Sequence, residues 1–125
     1  MKTVPPEVAK KEPYNELCDC FSFSFLFYEL LALKNTPYHS YCPREYFERV
    51  VKGKERPTIH RAWPKLSSKL LAEAWNQDPT KRPHMKNIAK MIRTDMSEIC
   101  QEDGVLHRTQ YMLQRSTRSI EEEKK

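Results

Sequence analysis

Glycine is scarce, with two residues in 125. That excludes a glycine-rich loop that cradles phosphates, and it speaks against a hairpin-rich all-β fold, whose tight turns call on glycine repeatedly. The four cysteines, Cys18, Cys20, Cys42 and Cys100, form no Cys-x-x-Cys pair. Cys18-x-Cys20 with His39 and Cys42 can be drawn as a zinc set on paper, but Cys20 lies inside an apolar run, where a thiol serves as a small hydrophobe. Reduced thiols in the cytoplasm or nucleus fit the spacing better. The opening MKTVPPEVAKKEPYNE lacks the apolar stretch of a signal peptide, and no internal repeat is visible. No apolar run reaches the roughly 20 residues of a membrane span. Charge of one sign is not segregated either. Twenty-two Lys and Arg against seventeen Asp and Glu leave a net +5, interleaved along most of the chain. That is a solvated mixed surface, whereas nucleic-acid binding wants cations gathered on one face. Neither a nucleic acid nor a membrane is expected as a partner.

What is present is organised around Asp19–Leu33, DCFSFSFLFYELLAL. Phe21, Phe23 and Phe25 alternate with Ser22 and Ser24 at the period of a strand. Length decides for helix, because the run continues through Leu26, Phe27, Tyr28, Leu30, Leu31 and Leu33 without Gly or Pro. Asn15 is placed to cap it, and Glu16 and Asp19 suit the positive end of the helix dipole. Apolar on every face but for its two acids, this helix belongs at the centre of a core.

Before it, Met1–Glu16 holds three prolines and reads as irregular approach, with one short turn over Glu7–Lys11. After it, Lys34–Cys42 is a loop. Pro43 then opens an amphipathic helix closed by Gly53, with Tyr46, Phe47, Val50 and Val51 as its apolar stripe. Lys54–Pro64 is an extended connector anchored by Ile59 and Trp63. Leu66–Trp75 is a further helix, and Asn76–Pro83 (NQDPTKRP) is a turn-rich break. Pro83 opens the next helix, whose buried side is predicted to be Met85, Ile88, Ala89 and Ile92. The fold class is all-α, and the compact unit is expected to end near Asp95. Residues 96–125 are expected to form a weakly helical or disordered tail, disordered from Ser116 to Lys125.

This order resembles the C-terminal half of the helical lobe of protein kinases, in the tyrosine-kinase-like serine/threonine group. Pro5-Pro6-Glu7 is similar to the Ala-Pro-Glu that closes a kinase activation segment, with Pro5 replacing Ala. Asp19-Cys20-Phe21-Ser22-Phe23 resembles the Asp-Val-Trp/Tyr-Ser-Phe that opens the family's buried helix, with Ser24 where Gly is usual. Gly53-Lys54-Glu55-Arg56-Pro57 resembles Gly-x-x-Arg-Pro. Trp75–Pro83 resembles Trp-x-x-Asp-Pro-x-x-Arg-Pro. The resemblance covers Val4 to about Thr94, giving a partial kinase domain over residues 1–95. It implies that Glu7 pairs with Arg82 beneath the activation segment, where a bidentate guanidinium makes a buried carboxylate tolerable. It implies that Asp19 supports the catalytic loop, and that Tyr46, Phe47, Val50 and Val51 lie on a helix that docks proteins. By their own chemistry Trp75 and Trp63 read as packing anchors.

The sequence has no Val-Ala-x-Lys, no His-Arg-Asp followed by Asn, and no Asp-Phe-Gly, the motifs that hold and transfer the phosphoryl group. The expectation is therefore a kinase fragment, inactive alone. Its intact parent would use ATP and magnesium on protein serine or threonine, and the fragment's natural partner would be the missing N-terminal part of the domain. The alternative is a pseudokinase-like module that binds partner proteins. In either case a face around Asp19, Phe23 and Phe27 is predicted to be under-buried.

Overall fold

A computed structural model describes residues 4–33 and 36–103. Among them every regular element is a helix and no strand occurs. α1 is one turn, Pro6–Ala9. α2 is Leu17–Ala32. α3, Pro43–Tyr46, continues without a break as a π-helix, Phe47–Lys52. α4 is Lys65–Ala74 and α5 is Met85–Asp103. A 3₁₀ turn, Pro79–Lys81, sits in the NQDPTKRP break. No helix among the described residues is long and apolar enough to cross a membrane.

α2 starts where Asn15 Oδ1 accepts the Leu17 N–H at 3.0 Å, and stops where Leu33 turns to φ 64° while its N–H still reaches the Glu29 carbonyl. Its buried side makes two adjoining clusters. Leu17 and Cys20 pack with Leu70, Ala74 and Ile88. Phe21, Phe25 and Tyr28 pack with Leu71 and Trp75. Phe21 and Phe25 have no exposed surface, and each such side chain contributes about 1.5–3 kcal/mol of transfer free energy. The buried Ser24 hydroxyl is satisfied inside the helix by the Phe21 carbonyl.

α4 lies antiparallel to α2: its C-terminal Leu70 and Ala74 meet Leu17 and Cys20, while Trp63, just before its start, sits 5.4 Å from the Tyr28 ring. α5 is antiparallel to α4 in turn, with Ile88 beside Leu70 and Ala74 and Asp95 at the opposite end beside Leu66 and Ser67. α2 and α5 therefore point the same way.

Three sequence expectations are corrected. The Pro43 helix changes pitch: Gly53 N–H bonds to the Glu48 carbonyl, five residues back, so the last turns are wide. The consecutive Val50 and Val51 are both wholly buried as a result. Gly53 is required by close approach, since a Cβ there would lie 2.6 Å from the Arg49 carbonyl oxygen. On α5, Ile88 is buried, but Met85 and Ala89 are exposed, and Met91 and Asp95 turn inward instead. This rotated stripe sets Asp95 against the start of α4, where Leu66 and Ser67 donate to it. α5 also passes the expected end near Asp95 and runs to Asp103. The expectations for the tail beyond residue 103, the disorder of Ser116–Lys125 included, fall outside the described residues.

Candidate functional site

The most demanding chemistry in the fold is a buried ion pair. Pro6 at the first helical position, preceded by an extended Pro5, sets α1 so that Glu7 points inward. Seventy-five positions later, Arg82 leaves the 3₁₀ turn in extended geometry and meets it. Arg82 Nη1 donates to Glu7 Oε1 at 2.6 Å and Nη2 donates to Oε2 at 3.0 Å. The Arg82 side chain is wholly buried and that of Glu7 is 5% exposed. The remaining guanidinium donors go to backbone: Nη1 to the Leu17 carbonyl at 3.1 Å and Nε to the Asn76 carbonyl at 2.9 Å. One arginine thus ties α1, the start of α2 and the loop after α4 to a single point.

A second cation, the half-buried Arg56, stands beside it. It has no acidic partner among the described residues and uses neutral acceptors: Nε to the Trp75 carbonyl at 2.7 Å, Nη1 to Val50 and Glu55 carbonyls, and Nη2 to Gln77 Oε1 at 2.9 Å. Gln77 is held by donating to the Val51 carbonyl. Burial pulls the Arg56 pKa below its ordinary value. Both guanidinium groups lie over the Phe21 ring, Arg56 at 5.1 Å and Arg82 at 4.9 Å from its centroid. Such contacts favour a desolvated cation. Sequence reading placed Arg56 inside a motif without giving it a role; the signal was a charged residue in a connector fixed by the following Pro57.

The remaining residues singled out in the sequence are placed as follows. Trp75 is 5% exposed, packs on Phe25 and Tyr28, and gives its carbonyl to Arg56. Asp19 is exposed, and the contact its carboxylate makes is with the Cys18 thiol at 3.8 Å. Burial first, and the neighbouring Asp19 next, push the Cys18 and Cys20 thiol pKa values up. Tyr46, Val50 and Val51 are buried against Ala9, Tyr38 and Tyr41, and Phe47 is half-buried. A partner cannot touch the first three. What this segment offers instead is its outer side, where Glu45–Arg49 and Glu48–Lys52 pairs sit in solvent. Tyr46 works inward: its hydroxyl donates to the Val4 carbonyl at 3.0 Å, and burial pushes its pKa up to about 12.

An open hollow of about 350 Å³ is lined by Tyr28, Leu31, Ala32, Thr58, His60 and Trp63. It holds no carboxylate for magnesium and no lysine or arginine for a triphosphate. Among the described residues no three His, Cys, Asp or Glu converge to hold a metal ion. The lining of this hollow does not fit a nucleotide with its magnesium.

Comparison with known proteins agrees with that geometry. The family model for protein tyrosine and serine/threonine kinases matches residues 1–92. A probable LIM domain-containing serine/threonine-protein kinase of Dictyostelium discoideum is 36% identical over 88 residues, 70% of this chain and 13% of that protein. The dual specificity protein kinase shkB of the same organism is 40% identical over 88 residues, 68% of this chain and 13% of that protein. The serine/threonine-protein kinase STY17 of Arabidopsis thaliana is 35% identical over 95 residues, 75% of this chain and 16% of that protein. The chain therefore spans well under a fifth of the length of these relatives. With Glu7 locked onto Arg82 under one buried helix, the chain belongs to the protein tyrosine and serine/threonine kinase family, in its tyrosine-kinase-like group, as part of the helical lobe.

Proposed function

We propose that this chain is the C-lobe scaffold of a serine/threonine protein kinase whose whole protein transfers the ATP γ-phosphate to protein hydroxyls. The family uses ATP with magnesium and acts on proteins. The observation that carries the reading is the bidentate Glu7–Arg82 pair, which fixes the end of the segment Pro5-Pro6-Glu7 against the core. In this reading the chain's residues do no chemistry. Glu7, Arg82 and Tyr46 immobilise the base of the loop on which a protein substrate would rest, and Arg56 and Trp75 keep the underlying helices in register. Asp19, exposed at the start of α2, would receive the backbone of a catalytic loop. Residues 1–95 would form the kinase portion and 96–125 an appendage to it. Its free cysteines Cys18, Cys20, Cys42 and Cys100 suit a reducing cytoplasm or nucleus.

The test is to map the transcript upstream of Met1 and express the extended protein. A reading frame with His-Arg-Asp-x-x-x-x-Asn and Asp-Phe-Gly, whose product labels serine or threonine of a generic protein substrate from radioactive ATP, supports the proposal. A frame with those motifs degraded, or a product that transfers no phosphate, refutes it in favour of a protein-binding module.

A further inference from the structure

The hollow beside Trp63 has no part in the scaffold. It also lies away from Asp19, the residue assigned to the missing part of the domain. Tyr28, Leu31 and Ala32 follow Asp19 by nine, twelve and thirteen positions, about 180°, 120° and 220° around the helix. The second wall, Thr58, His60 and Trp63, belongs to the connector before α4. Two contacts fix it in place: the Tyr28 hydroxyl donates to the Thr58 carbonyl at 3.3 Å, and the Trp63 ring meets that of Tyr28 at 5.4 Å and 74°. The slot is therefore preformed, with two aromatic rings nearly at right angles. No lining residue is an Asp, Glu, Lys or Arg.

The rim has the opposite character. Residues 56–72 contain Arg56, Arg61, Lys65 and Lys69 and no acid. Arg56 donates to the Trp75 carbonyl, and Lys69 pairs with Glu73. Arg61 and Lys65 are exposed on either side of Trp63 in the chain and make no ion pair among the described residues. His60 adds a directed donor: its Nδ1 accepts the Ala62 N–H at 3.1 Å, so the neutral ring carries its proton on Nε2. A second copy of this face would bring cations against cations.

We propose that the hollow binds an extended, proline-bearing segment of a partner protein, with acidic residues flanking the proline. An uncharged lining calls for an uncharged anchor, and aromatic-lined grooves are the surfaces on which proline-rich segments dock. Such a segment is already extended before it binds, so seating it costs little order. The volume of about 350 Å³ is near the lower end, roughly 300 Å³, of sites that hold a ligand. It admits a short anchor and excludes a helix about 10–12 Å across. The flanking carboxylates meet Arg61 and Lys65, and a backbone carbonyl of the segment accepts from His60 Nε2. None of this requires the whole protein to transfer phosphate, so a failed kinase assay and a failed binding assay are separate results.

The test titrates a fluorescent peptide, Glu-Asp-Pro-Pro-Asp-Glu, with the intact 125-residue chain and follows anisotropy. Saturable binding is expected, and it should vanish when the prolines become alanine or the acids become lysine. R61E/K65E, which alters two exposed side chains, should weaken binding about tenfold or more. In amide-correlation spectra the Trp63 indole signal should move on titration further than that of Trp75, which sits in the core. Trp63→Ala should abolish binding; if it also loosens the fold, R61E/K65E decides. No saturable binding, equal binding of the alanine peptide, a Trp63 signal that stays put, or R61E/K65E binding as tightly as the unaltered chain overturns the inference. Retention on phosphatidylserine vesicles that the peptide does not displace also overturns it, making the basic rim a membrane surface.

Discussion

Removing Glu7 should cost more stability than its small area suggests, because it strands a cation. In Glu7→Ala the Arg82 guanidinium stays wholly buried and keeps its Leu17 and Asn76 carbonyls, but loses the one negative charge it touches among the described residues. Breaking one side of a buried pair costs about 3–5 kcal/mol. Against a total stability of roughly 5–15 kcal/mol, that brings a small domain close to unfolding. Arg82→Met should cost at least as much, since Glu7 is then unpaired and the two carbonyls lose a donor as well. The double variant should lose clearly less than the sum, with a coupling of about 2 kcal/mol or more. Urea unfolding followed by Trp63 and Trp75 fluorescence reads all three. For a slope near 2 kcal/mol/M, the Glu7→Ala midpoint should fall by about 2 M. Additive losses, or a Glu7→Ala cost below about 1 kcal/mol, would refute the claim that the pair is both buried and interdependent.

Two further outcomes follow from the same geometry. Asp95→Ala should destabilise by about 1–3 kcal/mol, because it leaves the Leu66 and Ser67 amides and the Ser67 hydroxyl without an acceptor. Amide exchange at Leu66 and Ser67 should accelerate more than at Leu70, and equal protection at all three would argue against it. At Asp78, the Thr80 hydroxyl and N–H hold the carboxyl pKa below its usual value of 3.8. Its folded pKa lies below the unfolded one, so its contribution is present above the unfolded value and lost as pH falls through the folded one. The urea-midpoint gap between the unaltered chain and Asp78→Ala should therefore be wider at about pH 6 than at about pH 3. A gap that grows on acidification contradicts the sign.

Much of this architecture is legible in the letters, and the reasons are physical. α2 is readable because fifteen residues without Gly or Pro leave the chain one compact option. Pro43 and Gly53 mark the limits of the next helical segment through backbone geometry that other residues do not share. The pairing of Glu7 with Arg82 is not legible from spacing, since nothing local links positions so distant; it came from the order of motifs. Asp95 was missed because a periodicity of apolar residues cannot register a polar one that turns inward to serve another helix. The π-turn was missed for a related reason: adjacent Val50 and Val51 look like ordinary helix neighbours, and only the five-residue hydrogen bond makes both of them core. The hollow beside Trp63 has no signature of its own, being assembled from the end of α2 and an aperiodic connector.

α4 has no side-chain cap of its own at Pro64, and the carboxylate that completes its first turn belongs to a residue 28 positions later. A chain emerging from the ribosome N-terminus first, at about 5–20 residues per second, exposes α4 for about one to six seconds before that carboxylate arrives. During that interval the helix has free amides at one end, and Leu70 still lacks Ile88 from α5. Vectorial synthesis therefore makes these two helices a single late-maturing unit, and anything that stalls translation between them prolongs the time in which a chaperone is needed.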